Sequence, residues 1–213
     1  IADELSKSNI NFFVGGGEKY FNNRDDKRNL MNEMKDYTFV NSLEDYKNIF
    51  SKNIGFFTAY DDPIQKNFGR EPSLEDIIEA TIEKLKNFDK PFFILVEGSQ
   101  IDWAEHDNDQ EYLLSEMLEF DKAVDVSYKY ANENKNTLVI VTADHETGGA
   151  AIVSGDLEKQ IVKINYSSDE HTSEMVPVFS IGPYSEKFKG VYDNTEIFNK
   201  LFEIVKEWKD SFF

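Results

Sequence analysis

The sequence predicts an α/β fold with a mostly parallel sheet and helices on both faces. Three observations lead there. Apolar runs of five or six residues at Phe92–Val96, Thr137–Thr142 and Val176–Ile181 have the length and the β-branched or aromatic content of buried strands. Segments with apolar residues at helical spacing stand between them and at the chain's end. Strands that alternate with helices imply parallel pairing, with the helices covering both faces of the sheet.

Taken in order, Ile1–Ser8 reads as the last turns of a helix, so the beginning of the protein is expected to be absent. Asn11–Val14 is a short strand, and Gly15, Gly16 and Gly17 after it read as a plain turn, because the GxGxxG phosphate fingerprint is missing. Leu30–Met34 is helical in pattern, Tyr37–Val40 a strand, Ser42–Phe50 a short helix and Ile54–Ala59 a strand, with a polar loop from Tyr60 to Glu71. Ser73 with Asp76 is a capping-box start for a helix whose apolar residues are Ile77, Ile78, Ile82 and Leu85. The spacing predicts a long helix over 110–132, its apolar face being Leu113, Leu114, Met117, Leu118, Phe120, Val124 and Tyr128. Ala150–Val153 and Gln160–Ile164 read as two short strands joined at Ser154, Gly155 and Asp156. A final amphipathic helix over 195–209 turns Ile197, Phe198, Leu201, Phe202, Val205 and Trp208 inward.

Composition narrows the chemistry. A chain of 213 residues with 40% hydrophobic residues and 18 Phe can bury a sizeable core. A net charge of −18 opposes binding to a nucleic-acid backbone or to an anionic membrane. A phosphate substrate would need local compensation, which divalent metals supply. With no cysteine, disulfides and thiolate metal sites are excluded. No apolar run approaches the roughly twenty residues of a membrane span, and no signal peptide is evident.

All three histidines of the chain lie beside carboxylates at or near strand ends. Asp102 and His106 are four apart, so on a helix they share a face. Asp144 and His145 end the 137–142 strand, and His171 precedes the 176–181 strand. Ligands of open α/β sheets collect at the carboxyl ends of strands. Asp102, His106 and His171 would make three protein ligands with an open fourth position, the pattern of a catalytic zinc. Asp144 and His145 would start a second site, and Glu97 is a natural hard ligand for magnesium. Paired metals suit phosphoryl transfer. Glu105, Asp107 and Asp109 read as solvated, Trp103 as packing or a rim contact, and Thr147, Gly148 and Gly149 as a turn leaving the site.

The blocks VEGSQIDWAEHDND, NTLVIVTADHETGG and EHTSEMVPVFSIGP, in this order, resemble the alkaline phosphatases, in the Bacillus-like and Bacteroides-like branch that writes EGSQIDWA. The resemblance runs from Ile1, through FFVGGGEKYF and EPSLEDIIEATIEKL, to about Phe202. It implies the alkaline-phosphatase fold and a metal-dependent hydrolase of phosphomonoesters with Zn and Mg as cofactors. Asp102, His106 and His171 match ligands of the first zinc, Asp144 and His145 two ligands of the second, and Glu97 a magnesium ligand.

No serine here matches the family's nucleophile motif. The nucleophilic serine and the phosphate-binding arginine belong to an N-terminal half, so the whole chain, 1–213, is expected to be the C-terminal part of one such domain. On that reading it is incomplete and inactive alone. The 25 residues of 146–170 stand where relatives carry a larger crown, so that insertion is minimal. The resemblance also implies two-step transfer through a serine, a homodimeric parent and a periplasmic or extracellular location, and an isolated fragment would tend to self-associate through an open strand edge. Two other readings stand beside it. One is another metallo-hydrolase of the superfamily, such as a phosphodiesterase, a phosphoglycerate mutase or a sulfatase. The other is a non-catalytic acidic metal-binding module.

Overall fold

The computed structural model describes residues 1–88 and 90–212 and divides them into two compact units, Ile1–Val96 and Glu97–Phe213. In the first, β1 (Phe12–Gly15), β2 (Thr38–Val40) and β3 (Ile54–Phe57) form a parallel sheet in the order β1-β3-β2. The alternation of side chains along a strand explains its two cores. Val14, Val40, Ile54 and Phe56 face one side, packed with Tyr46 of α4 (Leu43–Asn48) and Ala80 of α5 (Leu74–Lys86). Phe13, Phe39 and Phe57 face the other, against α1 (Ala2–Ser6), Phe21 of α2 (Lys19–Asn22) and Leu30 of α3 (Leu30–Glu33). Helices therefore cover both faces of this parallel sheet, as the sequence predicts.

Gly55 sits beneath the aromatic layer. A Cβ there would lie 2.6 Å from the Phe13 ring and 2.7 Å from that of Phe39, so only glycine lets both rings cross β3 this closely. Residues such as Ile54 and Phe56, with no exposed surface, each contribute roughly 1.5–3 kcal/mol by burial. Ser73 caps α5 by accepting from the Asp76 amide at 3.1 Å, while its hydroxyl donates to the Asp76 carboxylate at 2.6 Å.

The second unit is built differently, and its ladders are all antiparallel among the described residues. β4 (Val139–Val141) pairs with β9 (Phe179–Ile181), β5 (Glu146–Thr147) with β8 (His171–Thr172), and β6 (Ala151–Asp156) with β7 (Ile161–Asn165). Helices α6 (Gln100–His106) and α7 (Gln110–Glu133) pack through Ala104, Tyr112 and Leu113, with Ile164 and Tyr166 against them. Two side chains hold the start of α7. Asp109 accepts from the Glu111 and Tyr112 amides, each at 3.0 Å. Gln110 clasps β7, donating to the Val162 carbonyl at 3.0 Å and accepting from the Ile164 amide at 2.8 Å. The chain ends in α8 (Glu196–Phe212), and no described helix is long and apolar enough to cross a membrane.

Four expectations are corrected. Phe92–Val96 is not in a ladder. It keeps a strand's alternation, with Phe93 and Leu95 exposed and Ile94 and Val96 half-buried, but it belongs to none of the ladders among the described residues. Residues 154–156 belong to β6, and the turn falls at 157–160, where Gln160 takes a positive φ of 54°. The buried face of α7 runs through Tyr112, Leu113, Glu116, Glu119, Ala123 and Ala131, while Met117, Leu118 and Tyr128 are exposed. The seat of Tyr112 against Gln100, to which it donates at 2.9 Å, sets that rotation. In α8 the inward stripe is Ile197, Leu201, Ile204 and Trp208, and Phe198, Phe202 and Val205 face solvent.

Candidate metal centre

Helix α6 carries the first pair of site residues. One helical turn separates Asp102 from His106, and His106 Nε2 lies 3.4 Å from Asp102 Oδ1. His171 arrives from β8, with Nε2 3.5 Å from the same Asp102 oxygen and 3.2 Å from His106 Nε2. One donor atom from each of Asp102, His106 and His171 falls within 4.8 Å of the others. His106 Nδ1 donates to the Asp169 carbonyl at 2.6 Å, which leaves the Nε2 lone pair turned toward Asp102 and His171. That carbonyl, and after burial's opposing effect the Asp102 carboxylate, hold the His106 ring above its ordinary imidazole pKa.

His145 stacks on His171 with ring centroids 3.7 Å apart, and its Nε2 lies 3.3 Å from Asp144 Oδ2. Its Nδ1 faces Thr147 Oγ1 at 3.2 Å and Asp102 Oδ1 at 4.0 Å. The Asp144–His145 pair therefore adjoins the first cluster, with Asp144 largely in solvent. Glu97 is exposed just ahead of α6 and is not a member of the three-residue cluster.

The structure adds residues that the sequence reading set aside. Thr147, expected in an outgoing turn, is 1% exposed on β5 and donates to Asp102 Oδ1 at 2.6 Å. Glu105, expected in solvent, is half-buried; burial, then the Glu146 and Asp102 carboxylates, push its pKa up to about 7. Asp109 is a helix cap rather than a merely solvated acid. Trp103 stays at the rim, 42% exposed. Only one trace of Thr147 existed in the sequence: it stands two residues beyond His145, where a strand would bring it to the same face as that histidine.

The comparisons with known proteins agree with the motifs. The alkaline phosphatase family model matches residues 1–161 and 154–207. The chain belongs to the alkaline phosphatase family. It is 32% identical to alkaline phosphatase 4 of Bacillus subtilis, over 95% of this chain and 59% of that protein. Alkaline phosphatase 3 of the same organism is 31% identical over 96% of this chain and 60% of its own length. The structure of alkaline phosphatase from the Antarctic bacterium TAB5 superposes with a TM-score of 0.89 and 35% identity, covering 96% of this chain and 63% of that one. A mutant of the TAB5 enzyme was solved with Mg bound in its M3 site, and it matches with a TM-score of 0.87 and 33% identity over 96% of this chain and 63% of that one. This family chain thus spans about three fifths of the relatives it matches. The two matched segments overlap at residues 154–161, within the β6–β7 hairpin.

Proposed function

We propose that this chain carries the metal centre of a phosphomonoester hydrolase, with Asp102, His106 and His171 holding zinc. The observation that carries this reading is the spacing of the three donors. A tetrahedral zinc with ligands at about 2.0–2.2 Å has ligand-to-ligand edges of roughly 3.3–3.6 Å. The donor separations here are 3.4, 3.5 and 3.2 Å. Two imidazoles and a carboxylate also suit zinc by donor type. Asp144 and His145 would hold a second ion beside the first, and Glu97 would serve a magnesium ion. When bound, such ions supply positive charge for the phosphate oxygens and for the group that attacks phosphorus.

The chain's own residues do the positioning. Asp102 is aimed by the Thr147 hydroxyl, and His106 by the Asp169 carbonyl. In a chain of net charge −18, bound cations would supply local attraction for a phosphomonoester. We read the nucleophilic serine and the phosphate-binding arginine as lying outside these 213 residues, so the chain alone turns over negligibly. The parent is read as an exported homodimer, with 146–170 as its minimal crown.

Zinc titration against a chromophoric chelator tests the reading. Wild-type chain is expected to bind with an affinity that His106→Ala loses by two orders of magnitude or more. Equal binding by the two proteins would refute the assignment. Steady 4-nitrophenyl phosphate hydrolysis by pure chain, abolished by chelation, would refute the placement of the nucleophile elsewhere.

A further inference from the structure

The β5–β8 ladder is only two residues long on each strand, yet it brings His171 to the site. Thr147 stands opposite His171 and Glu146 opposite Thr172. Because side chains alternate across a strand, Thr147 and His171 share the face turned to Asp102. Glu146 and Thr172 share the other.

On that second face Glu146 is fully engaged. Its carboxylate accepts from the Gly149 amide at 3.2 Å, from the Ala150 amide at 3.0 Å and from the Thr172 hydroxyl. The two amides belong to a turn that only positive φ allows, 78° at Gly148 and 57° at Gly149. That turn in turn binds the segment leading into β8. The Gly148 amide donates to the Glu170 carbonyl at 3.0 Å, and the Gly148 carbonyl accepts from the Ser167 and Ser168 amides at 2.9 and 3.0 Å.

We propose that Glu146 and Thr172 form a latch that positions the histidines: it fixes the register of β5 on β8 and so sets His145 and His171 at the metal centre. Glu146 directly follows His145, and Thr172 directly follows His171. One side-chain bond therefore ties together the residues that directly follow the two backbone positions from which these rings project. A two-residue ladder, even with the three backbone bonds at Gly148 beside it, is short for fixing a register. The Thr172 hydroxyl adds a side-chain bond across the pair, to a carboxylate that the Gly149 and Ala150 amides hold in place. Neither residue reaches the metal donors itself, so both are positioning residues. The proposal rests on the zinc reading above.

The test uses the full chain in three forms: wild type, Thr172→Val and Thr172→Ser. Valine keeps the shape and removes the hydroxyl, while serine keeps the hydroxyl. Chelator competition is expected to show zinc affinity falling about tenfold or more in the valine variant, as for other residues that orient metal ligands, and recovering in the serine variant. In metal-free protein, hydrogen exchange of the Gly148 amide should quicken in the valine variant only. Wild type and Thr172→Val with equal zinc affinity would overturn the latch. A wild type that takes up no zinc would instead sink the zinc reading, and the latch's role at a metal centre would fall with it. Weakened zinc binding shared by the serine variant would also overturn the proposal, since the hydroxyl would then not be the cause.

Discussion

Replacing Thr147 by valine removes one hydroxyl and almost no volume. The structure gives the consequence a size. The Thr147 hydroxyl donates to an Asp102 carboxylate oxygen at 2.6 Å, from a side chain that is 1% exposed. A hydrogen bond to a charged group contributes roughly 1.5–3 kcal/mol. Asp102 is itself 33% exposed, so solvent recovers part of the loss, and about 1–2 kcal/mol is expected in metal-free protein. With a urea dependence of about 2 kcal/mol per molar, the unfolding midpoint should fall by about 0.5–1 M. The same bond aims a proposed zinc ligand, so zinc affinity should drop about tenfold. Thr147→Ser, which keeps the donor, should bind zinc close to wild type. A valine variant with an unchanged midpoint and unchanged zinc affinity would refute the idea that this bond orients Asp102. A lower midpoint with unchanged zinc affinity would limit the bond to stability.

Three further outcomes are expected. Gly182→Ala should destabilise the chain by about 3 kcal/mol or more in urea unfolding, because φ at that site is 102° and a Cβ would lie 2.1 Å from the Thr137 carbonyl oxygen; a loss under about 1 kcal/mol would mean the β4 end gives way freely. Tyr112→Phe should cost about 1–2 kcal/mol in the same assay, since it removes a buried donor to Gln100 at 2.9 Å. Hydrogen bonds from Lys7 and then Arg28 hold Asp3 at about 2, below its ordinary 3.8. A carboxylate depressed on folding contributes stability that is complete above its unfolded value and lost as pH falls through the folded one. Asp3→Asn should therefore lower the urea midpoint at pH 5, with the gap to wild type closing from about pH 4 toward 2; a gap that persists to pH 2 would contradict this.

Much of the fold and part of the site are local properties, and those were legible. The Asp102–His106 pair is one: four residues apart, they meet as soon as 100–106 is helical. The capping of α5 by Ser73 is another. Interactions between neighbours in sequence depend on backbone geometry alone, so their residue types can be read directly. The family motifs add the identity of the six residues from Glu97 to His171 that are proposed to hold metals.

The remaining features depend on what packs against what. His171 reaches His106 across 65 residues of chain, and a two-residue ladder with a turn at Gly148 brings it there. The rotation of α7 was misread because its stripe includes Glu116 and Glu119, which no hydrophobic pattern selects. Phe92–Val96 has a strand's composition, but pairing into a ladder depends on a distant backbone, which local composition does not encode. Thr147 became a positioning residue only once its neighbour's carboxylate was in place. By itself the sequence determined which residues carry donors, and most of the segments that coil or extend. The tertiary structure alone decided which donors converge, because convergence across long loops is set by packing and by pairing between distant strands.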